Sequence, residues 1–292
     1  MTVQGIDVSE YQGTVDFNKV KAAGYSFVII RAGYGNANAY PDQRDPYFER
    51  NYKGAKAAGL GVGVYWYSYA KSAEGAKKEA ESCIAVIKGK KFEYPIFFDI
   101  EERSQLDKGK AFCDSLINSF CTTLEKAGYF AGIYCSTYWL TNCVSEEVRK
   151  RFTVWIAEWG RKCTYTGSYG IWQNGTARVD GVKGEADHDF CYIDYPSRIK
   201  EAGLNGYGKP AEEPLLDKSG CFAEGERGAG VLAFKELLKL AKKKKLITAD
   251  ITDSCIYDSG TVSAVKELQK RWGFRQTGLA GENLVSRLYG EL

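Results

Sequence analysis

Histidine is nearly absent from this 292-residue chain, where His188 stands alone. A histidine-based triad would need it as general base, and a zinc hydrolase typically needs two or more imidazoles. With 37 Asp and Glu available, acid–base chemistry falls to carboxylates, and His188 reads as structural. Long apolar runs are also missing. The longest, 27–30 and 61–67, are strand-length, far short of the ~20 residues of a spanning helix, so no membrane insertion is expected. The nine cysteines are odd in number and contain no CxxC spacing. They read as reduced, mostly buried small hydrophobes rather than a disulfide framework. The N-terminus has neither a basic n-region nor an apolar h-region, so a cytoplasmic product without an export signal is expected. No glycine-rich phosphate loop follows the first strand pattern, which argues against a nucleotide-binding protein. A net charge of +3 gives no ground for a nucleic-acid partner. Neither a cofactor nor a metal is expected.

Aromatic residues are abundant, 14% of the chain with 20 Tyr and 6 Trp. Their apolar faces and hydrogen-bonding tips suit either a barrel core or the C–H faces and hydroxyls of a sugar. Strand-like runs at 4–9, 26–32, 61–69, 94–101, 130–135, 153–158, 170–173 and 190–193 alternate with helical patterns. These cover 17–23, 46–58, 73–88 and 108–127, and Gly24, Gly59 and Gly128 stand where helix C-caps are expected. The alternation predicts α/β architecture with parallel strands covered by helices. Eight strands predict an irregular (β/α)8-like barrel over residues 1–199, its last strands joined by loops. Residues 200–216 lack apolar periodicity and read as a linker. Helical stripes at 230–243, 260–272 and 281–288 predict a small all-α three-helix domain over 217–292.

The most informative segment is Tyr94-Pro95-Ile96-Phe97-Phe98-Asp99-Ile100-Glu101. An apolar run that ends in charge is a buried strand arriving at a mouth, and alternation puts Asp99 and Glu101 on one face. Paired carboxylates raise each other's pKa, so one can remain an acid while the other is an anion. Glycoside cleavage asks for such a pair, although a salt-bridge partner or a metal-ligand pair would read the same way. Asp7, in Gly5-Ile6-Asp7-Val8-Ser9-Glu10-Tyr11-Gln12-Gly13, brings a third carboxylate to the same rim. Tyr67, Tyr134, Trp66 and Trp172 sit at or near strand ends and are candidates for stacking on sugars, with core packing as the competing role.

These motifs together resemble the opening of family 25 glycoside hydrolases, the N-acetylmuramidases called Chalaropsis-type lysozymes. The resemblance is carried by residues 5–13, Val15-Asp16-Phe17 and Phe27-Val28-Ile29-Ile30-Arg31-Ala32-Gly33-Tyr34-Gly35. It continues through residues 63–70, Phe98-Asp99-Ile100-Glu101, Gly132-Ile133-Tyr134, Trp155-Ile156-Ala157-Glu158, Ile171-Trp172-Gln173 and residues 181–187, covering nearly all of 3–195. It implies a cofactor-free irregular barrel that hydrolyses the β-1,4 bond between N-acetylmuramic acid and N-acetylglucosamine in bacterial peptidoglycan. By position Glu101 matches the catalytic acid, Asp99 its partner, and Asp7 and Asp187 the remaining acidic residues. The family usually has Asp, an apolar residue and Asn at the last site, where this chain has Asp187-His188-Asp189. Asp189 therefore competes with Asp187 for that role.

Residues 262–273 with Gln276-Thr277-Gly278, together with Gly230-Val231 and residues 234–238, resemble the three-helix peptidoglycan-binding module attached to many wall hydrolases. The usual acidic turn before its second helix is altered to Tyr257-Asp258-Ser259-Gly260. The lysine run 242–245 reads as a solvated helix end, with attraction to anionic wall polymers or to DNA as alternatives. A wall-cutting enzyme without an export signal points to a phage endolysin-like protein that reaches its substrate during lysis. Two further readings stay open: a chitinase-like hydrolase of N-acetylglucosamine polymers, and a non-catalytic wall-binding protein.

Overall fold

Eight strands follow one another around a closed barrel in sequence order. They are β1 (Val3–Val8), β2 (Phe27–Tyr34), β3 (Gly61–Tyr67), β4 (Ile96–Asp99), β5 (Ala131–Ser136), β6 (Thr153–Ala157), β7 (Ile171–Arg178) and β8 (Glu185–Cys191). The connections up to β6 carry α1 (Phe17–Ala22), α2 (Phe48–Ala57), α3 (Ala73–Ile87), α4 (Arg103–Leu106), α5 (Lys110–Lys126), α6 (Thr137–Cys143) and α7 (Glu146–Arg151), and α8 (Tyr195–Glu201) follows β8. The computed structural model describes residues 2–208 and 220–292. The chain divides into two compact units, Met1–Pro210 and Ala211–Leu292.

Local chemistry explains the helix boundaries. Asp16 accepts the backbone N–H groups of Asn18 and Lys19 at the start of α1, and Ser72 accepts that of Gly75 at the start of α3, as N-caps do. Gly24, Gly59 and Gly128 have φ of +96°, +71° and +83°, the left-handed turn that ends a helix and favours glycine. Between the helices, strand alternation sorts the core into two layers. Ile6, Val8, Val28 and Ile30 face the helices. Phe27, Ile29, Phe97, Trp155 and Ile171 fill the barrel interior, where Phe27 stacks on Tyr94 with ring centroids 4.5 Å apart.

Two expectations are corrected. The apolar runs predict a last strand at 190–193 and a parallel sheet. Instead β8 covers Glu185–Cys191 and runs antiparallel to both β7 and β1. The connection from β7 is a hairpin of six residues, 179–184, too short for the crossover that a parallel pair requires. Residues 200–208 do not behave as linker. The Asn205 carboxamide accepts the Phe130 N–H at 2.7 Å and donates to the Tyr94 carbonyl at 2.9 Å, so this segment closes the bottom of the first unit. The rest of the expected linker, 209–216, lies outside the described residues.

The second unit contains α9 (Ala229–Lys243), α10 (Ser259–Arg271) and α11 (Glu282–Glu291), with two short antiparallel strands, β9 (Cys221–Phe222) and β10 (Ala280–Gly281). Phe222, Phe234, Leu238, Tyr257, Val265, Leu268 and Leu288 form its own core. The unusual turn at 257–260 has a structural role. Asp258 caps α10 by accepting the Thr261 N–H, and it pairs at 2.8 Å with Lys235, whose ammonium is fully buried. Lys235 also donates to Thr252, Ser254 and the Ile256 carbonyl, which satisfies a charge that would otherwise be costly to bury. Among the described residues no helix is long and apolar enough to cross a membrane.

Candidate active site

In a barrel of parallel strands the C-terminal strand ends share one rim. Here Asp7 lies next to the end of β1, Tyr67 ends β3 and Asp99 ends β4. Glu101 follows two residues later on the same face. β8 runs the other way, so its early residue Asp187 comes to this rim, opposite Asp7 in the ladder. All of these, with Tyr134 of β5, line one groove of about 340 Å³. The structure thus brings together the four acidic candidates and two of the four aromatic ones.

Trp66 and Trp172 do not reach the groove. Trp66 is fully buried and its indole N–H donates to the Gly35 carbonyl at 3.0 Å. Trp172 is buried as well and donates to the Glu158 carbonyl at 2.8 Å. Trp66 stands between Tyr65 and Tyr67, and Trp172 precedes Gln173. Successive strand residues face opposite sides, so the two indoles point into the helix layer. The same parity identifies residues that sequence reasoning missed. Tyr65, Arg31, Trp155 and Gln173 line the groove, and Tyr65 could have been found by counting back two from Tyr67. Tyr11 and Trp159, 80% and 65% exposed, form aromatic walls at the mouth; they belong to loops, where strand alternation gives no signal.

Gln173 organises the floor. Its amide nitrogen donates to Asp7 Oδ2 at 2.8 Å, and its oxygen accepts from the Tyr134 hydroxyl at 3.1 Å and from the Trp159 indole at 3.2 Å. Tyr67 donates to Glu102 at 2.7 Å. Arg31 is the groove's cation. Its Nε donates to Asp45 at 2.8 Å and one terminal nitrogen to Glu10 at 2.7 Å, while its guanidinium lies 4.9 Å from the Tyr11 ring centroid. Held by these partners, Arg31 acts on the carboxylates through space.

The carboxyls are crowded enough to retain protons beyond their ordinary range. Burial, then repulsion from Glu101, pushes Asp99 well up, and Arg31 offsets part of this. Asp99 is 3% exposed and its Oδ1 has no hydrogen-bond partner among the described residues. Glu101 is open to solvent at the rim, yet its surroundings raise it too, first by desolvation and then through Glu102 and Asp187. Asp187 is raised by desolvation. Asp189 does not line the groove. It is fully buried beneath it, accepting the Trp155 indole N–H at 2.7 Å, so Asp187 is the residue of this pair at the groove surface. His188 faces away, between Asn174 Oδ1 at 2.7 Å and Gln4 Oε1 at 3.1 Å. Among the described residues no cluster of His, Cys, Asp and Glu is arranged to hold a metal ion.

Comparison with known proteins matches residues 6–181 to the family model described as glycosyl hydrolases family 25. Asp7, Asp99 and Glu101 fall inside the match, and Asp187 and Asp189 beyond it. The autolytic lysozyme of Clostridium acetobutylicum is 32% identical over 189 residues, covering 64% of this chain and 55% of that protein. The chain therefore matches little more than half the length of that relative. Lysozyme M1 of Streptomyces globisporus is 29% identical over 208 residues, covering 64% of this chain and 67% of the relative. Among solved structures, the bacterial lysozyme of Streptomyces coelicolor superposes with a TM-score of 0.58 at 26% identity, covering 70% of this chain and 97% of that one.

Proposed function

The chain belongs to the glycosyl hydrolases of family 25, and from that membership we propose that it is a muramidase acting on bacterial peptidoglycan. The bond cleaved is the β-1,4 link from N-acetylmuramic acid to N-acetylglucosamine. The observation that carries this reading is the convergence of Asp7, Asp99, Glu101 and Asp187 on one groove whose lining also includes Tyr11, Tyr67, Tyr134 and Trp159.

In this mechanism Glu101 protonates the leaving oxygen. Its solvent-open position at the rim and its raised pKa suit an acid that must meet substrate while still carrying its proton. Asp99, deeper and with an unpartnered oxygen, orients and stabilises the substrate's 2-acetamido group as it attacks the anomeric carbon, a route known for acetamido sugars. Tyr67 and Tyr134 contact sugar rings from opposite sides of the Asp99–Glu101 segment. The second unit binds the wall, which raises the local concentration of glycan at the barrel. The protein acts on the cell wall as an endolysin does, after its release from the cytoplasm.

Digestion of purified peptidoglycan tests the proposal. Mass spectrometry is expected to find N-acetylmuramic acid at the new reducing ends, and NMR to find the β-anomer first. Glu101→Gln should lower turnover by at least about a hundredfold with an unchanged thermal melt. N-acetylglucosamine at the reducing ends together with chitin cleavage would identify a chitinase-like enzyme instead. An absence of new ends with wall binding retained would identify a non-catalytic binder.

A further inference from the structure

Asp189 is fully buried inside the barrel, one interior layer below the groove. The β1–β8 ladder sets Asp187 opposite Asp7 and Asp189 opposite Gly5, and the β7–β8 ladder sets Asp189 opposite Gln173. Gly5 leaves this layer without a side chain from β1; a Cβ there would stand 2.4 Å from the Phe27 ring. Asp189 Oδ1 accepts the Trp155 indole N–H at 2.7 Å, while Oδ2 has no hydrogen-bond partner among the described residues. Asp7, 5% exposed, accepts Gln173 Nε2 through Oδ2. In this register Asp7 and Asp189 are diagonal cross-strand neighbours on the interior face, and of the carboxyls around Asp7 it is Asp189 that repels it most.

Among the described residues, the groups facing this pair supply no neutralising cation within reach. β8 adds Asp187, β4 adds Asp99, and β3 and β5 add the Tyr65 and Tyr134 hydroxyls, all lining the same groove. Arg31 of β2 is bonded to Asp45 and Glu10, and His188 points to Asn174 and Gln4 outside the barrel wall. An ionised carboxylate only accepts hydrogen bonds. Two of them in contact, away from water, are stable only if one carries a proton.

We propose that Asp189 is a positioning residue for Asp7: one proton bridges the two carboxyl groups, keeps them together as a singly charged unit, and aims Asp7 into the groove. Burial first, then repulsion from neighbouring carboxylates, raises both groups well above the ordinary range, in keeping with a pair that releases its last proton late. Once that proton leaves, two anions face each other in a dry interior and must separate, which turns Asp7 out of place. The inference rests on the muramidase reading for its effect on turnover, but the shared proton itself does not depend on that reading.

The full chain and its Asp189→Asn variant decide the matter. An asparagine amide donates to Asp7 and accepts from Trp155 at every pH. Its turnover at neutral pH is expected within about threefold of the parent chain, and the alkaline limb of its kcat profile is expected to keep only the Glu101 titration, losing any further step that follows from the carboxyl pair. Asp189→Leu, which cannot donate, should lower kcat by about tenfold or more with KM little changed. Infrared difference spectra at neutral pH give a readout free of activity. The carbonyl stretch of a protonated carboxylic acid should be present in the parent chain and lose one group's intensity in Asp189→Asn. Equal infrared intensity in the two proteins overturns the proposal. If neither protein cleaves peptidoglycan, the muramidase reading fails and the infrared comparison still decides the shared proton.

Discussion

In the proposed mechanism Asp99 trades stability for chemistry. It is buried, one of its oxygens lacks a partner, and Glu101 and Glu102 repel it. Because its folded-state pKa is raised, its contribution favours the fold at acidic pH and is lost as pH rises through the folded value. Replacement by a neutral isostere should relieve this cost. Asp99→Asn is expected to melt higher than the parent chain at pH 8, by about 2–4 °C for each kcal/mol relieved, while losing most of its turnover. A variant that melts lower at pH 8 and equally at pH 5 would show that the carboxylate stabilises the fold instead. Residues of this kind break local rules at functional sites, and in sequence they stand out as charge at the end of an apolar run. Trp66 and Trp172 carry the opposite lesson. Both looked like sugar platforms by type and position along the chain, but strand parity sends them into the helix layer.

Among the elements, the loop after β3 and the short helix α4 are tied to one buried acid on α3. Glu79 accepts the Ser68 hydroxyl at 2.7 Å and the Tyr69 N–H at 2.9 Å. Gln105 of α4 donates to Ser68 Oγ and to the Ala70 carbonyl, both at 3.0 Å. Glu79 thereby fastens the segment that follows Tyr67 to the segment that follows Glu101. Burial raises its pKa from 4.5 to about 7 despite the two hydrogen bonds. A raised carboxyl contributes stability that is complete below pH 4.5 and disappears as pH climbs through about 7, so the barrel should weaken between pH 5 and pH 8. Glu79→Gln removes that titration. Urea unfolding should show the variant gaining on the order of 2 kcal/mol on the parent chain between those two pH values. Parallel stability curves for the two proteins would rule out Glu79 as the titrating group.

The hairpin formed by β7 and β8 is the other element that determines the site. Its antiparallel return carries Asp187 to the rim and Asp189 beneath it. The expected strand at 190–193 missed most of it, because β8 includes Asp187, His188 and Asp189, and a strand with two inward carboxylates does not read as an apolar run.

For the whole molecule, two separate hydrophobic cores lie in the two units. The proposed division of labour predicts an asymmetric effect of truncation. A chain ending at residue 208 should cleave short soluble glycan fragments at nearly the parent rate and lose about tenfold or more on intact cell walls. Equal losses on both substrates would show that the second unit supports the barrel instead of binding the wall. The existence of two units was legible from the composition shift near residue 200. The position of the boundary was not, because the polar stretch 200–208 contains Asn205, whose carboxamide satisfies backbone groups in the segments that lead into two strands distant in sequence.

The order of strands and helices follows from the sequence alone, since periodicity, N-caps and C-cap glycines act within a few residues of one another. The candidate acids Asp7, Asp99 and Glu101 were likewise marked by their place at the ends of apolar runs. Tertiary structure alone decided which neighbours face the groove, that β8 closes the barrel in reverse, and that Asp189 comes beside Asp7 in the ladder across 182 positions of chain. Those outcomes depend on ladder register and barrel closure, in which each strand's facing is set by partners far away in the chain.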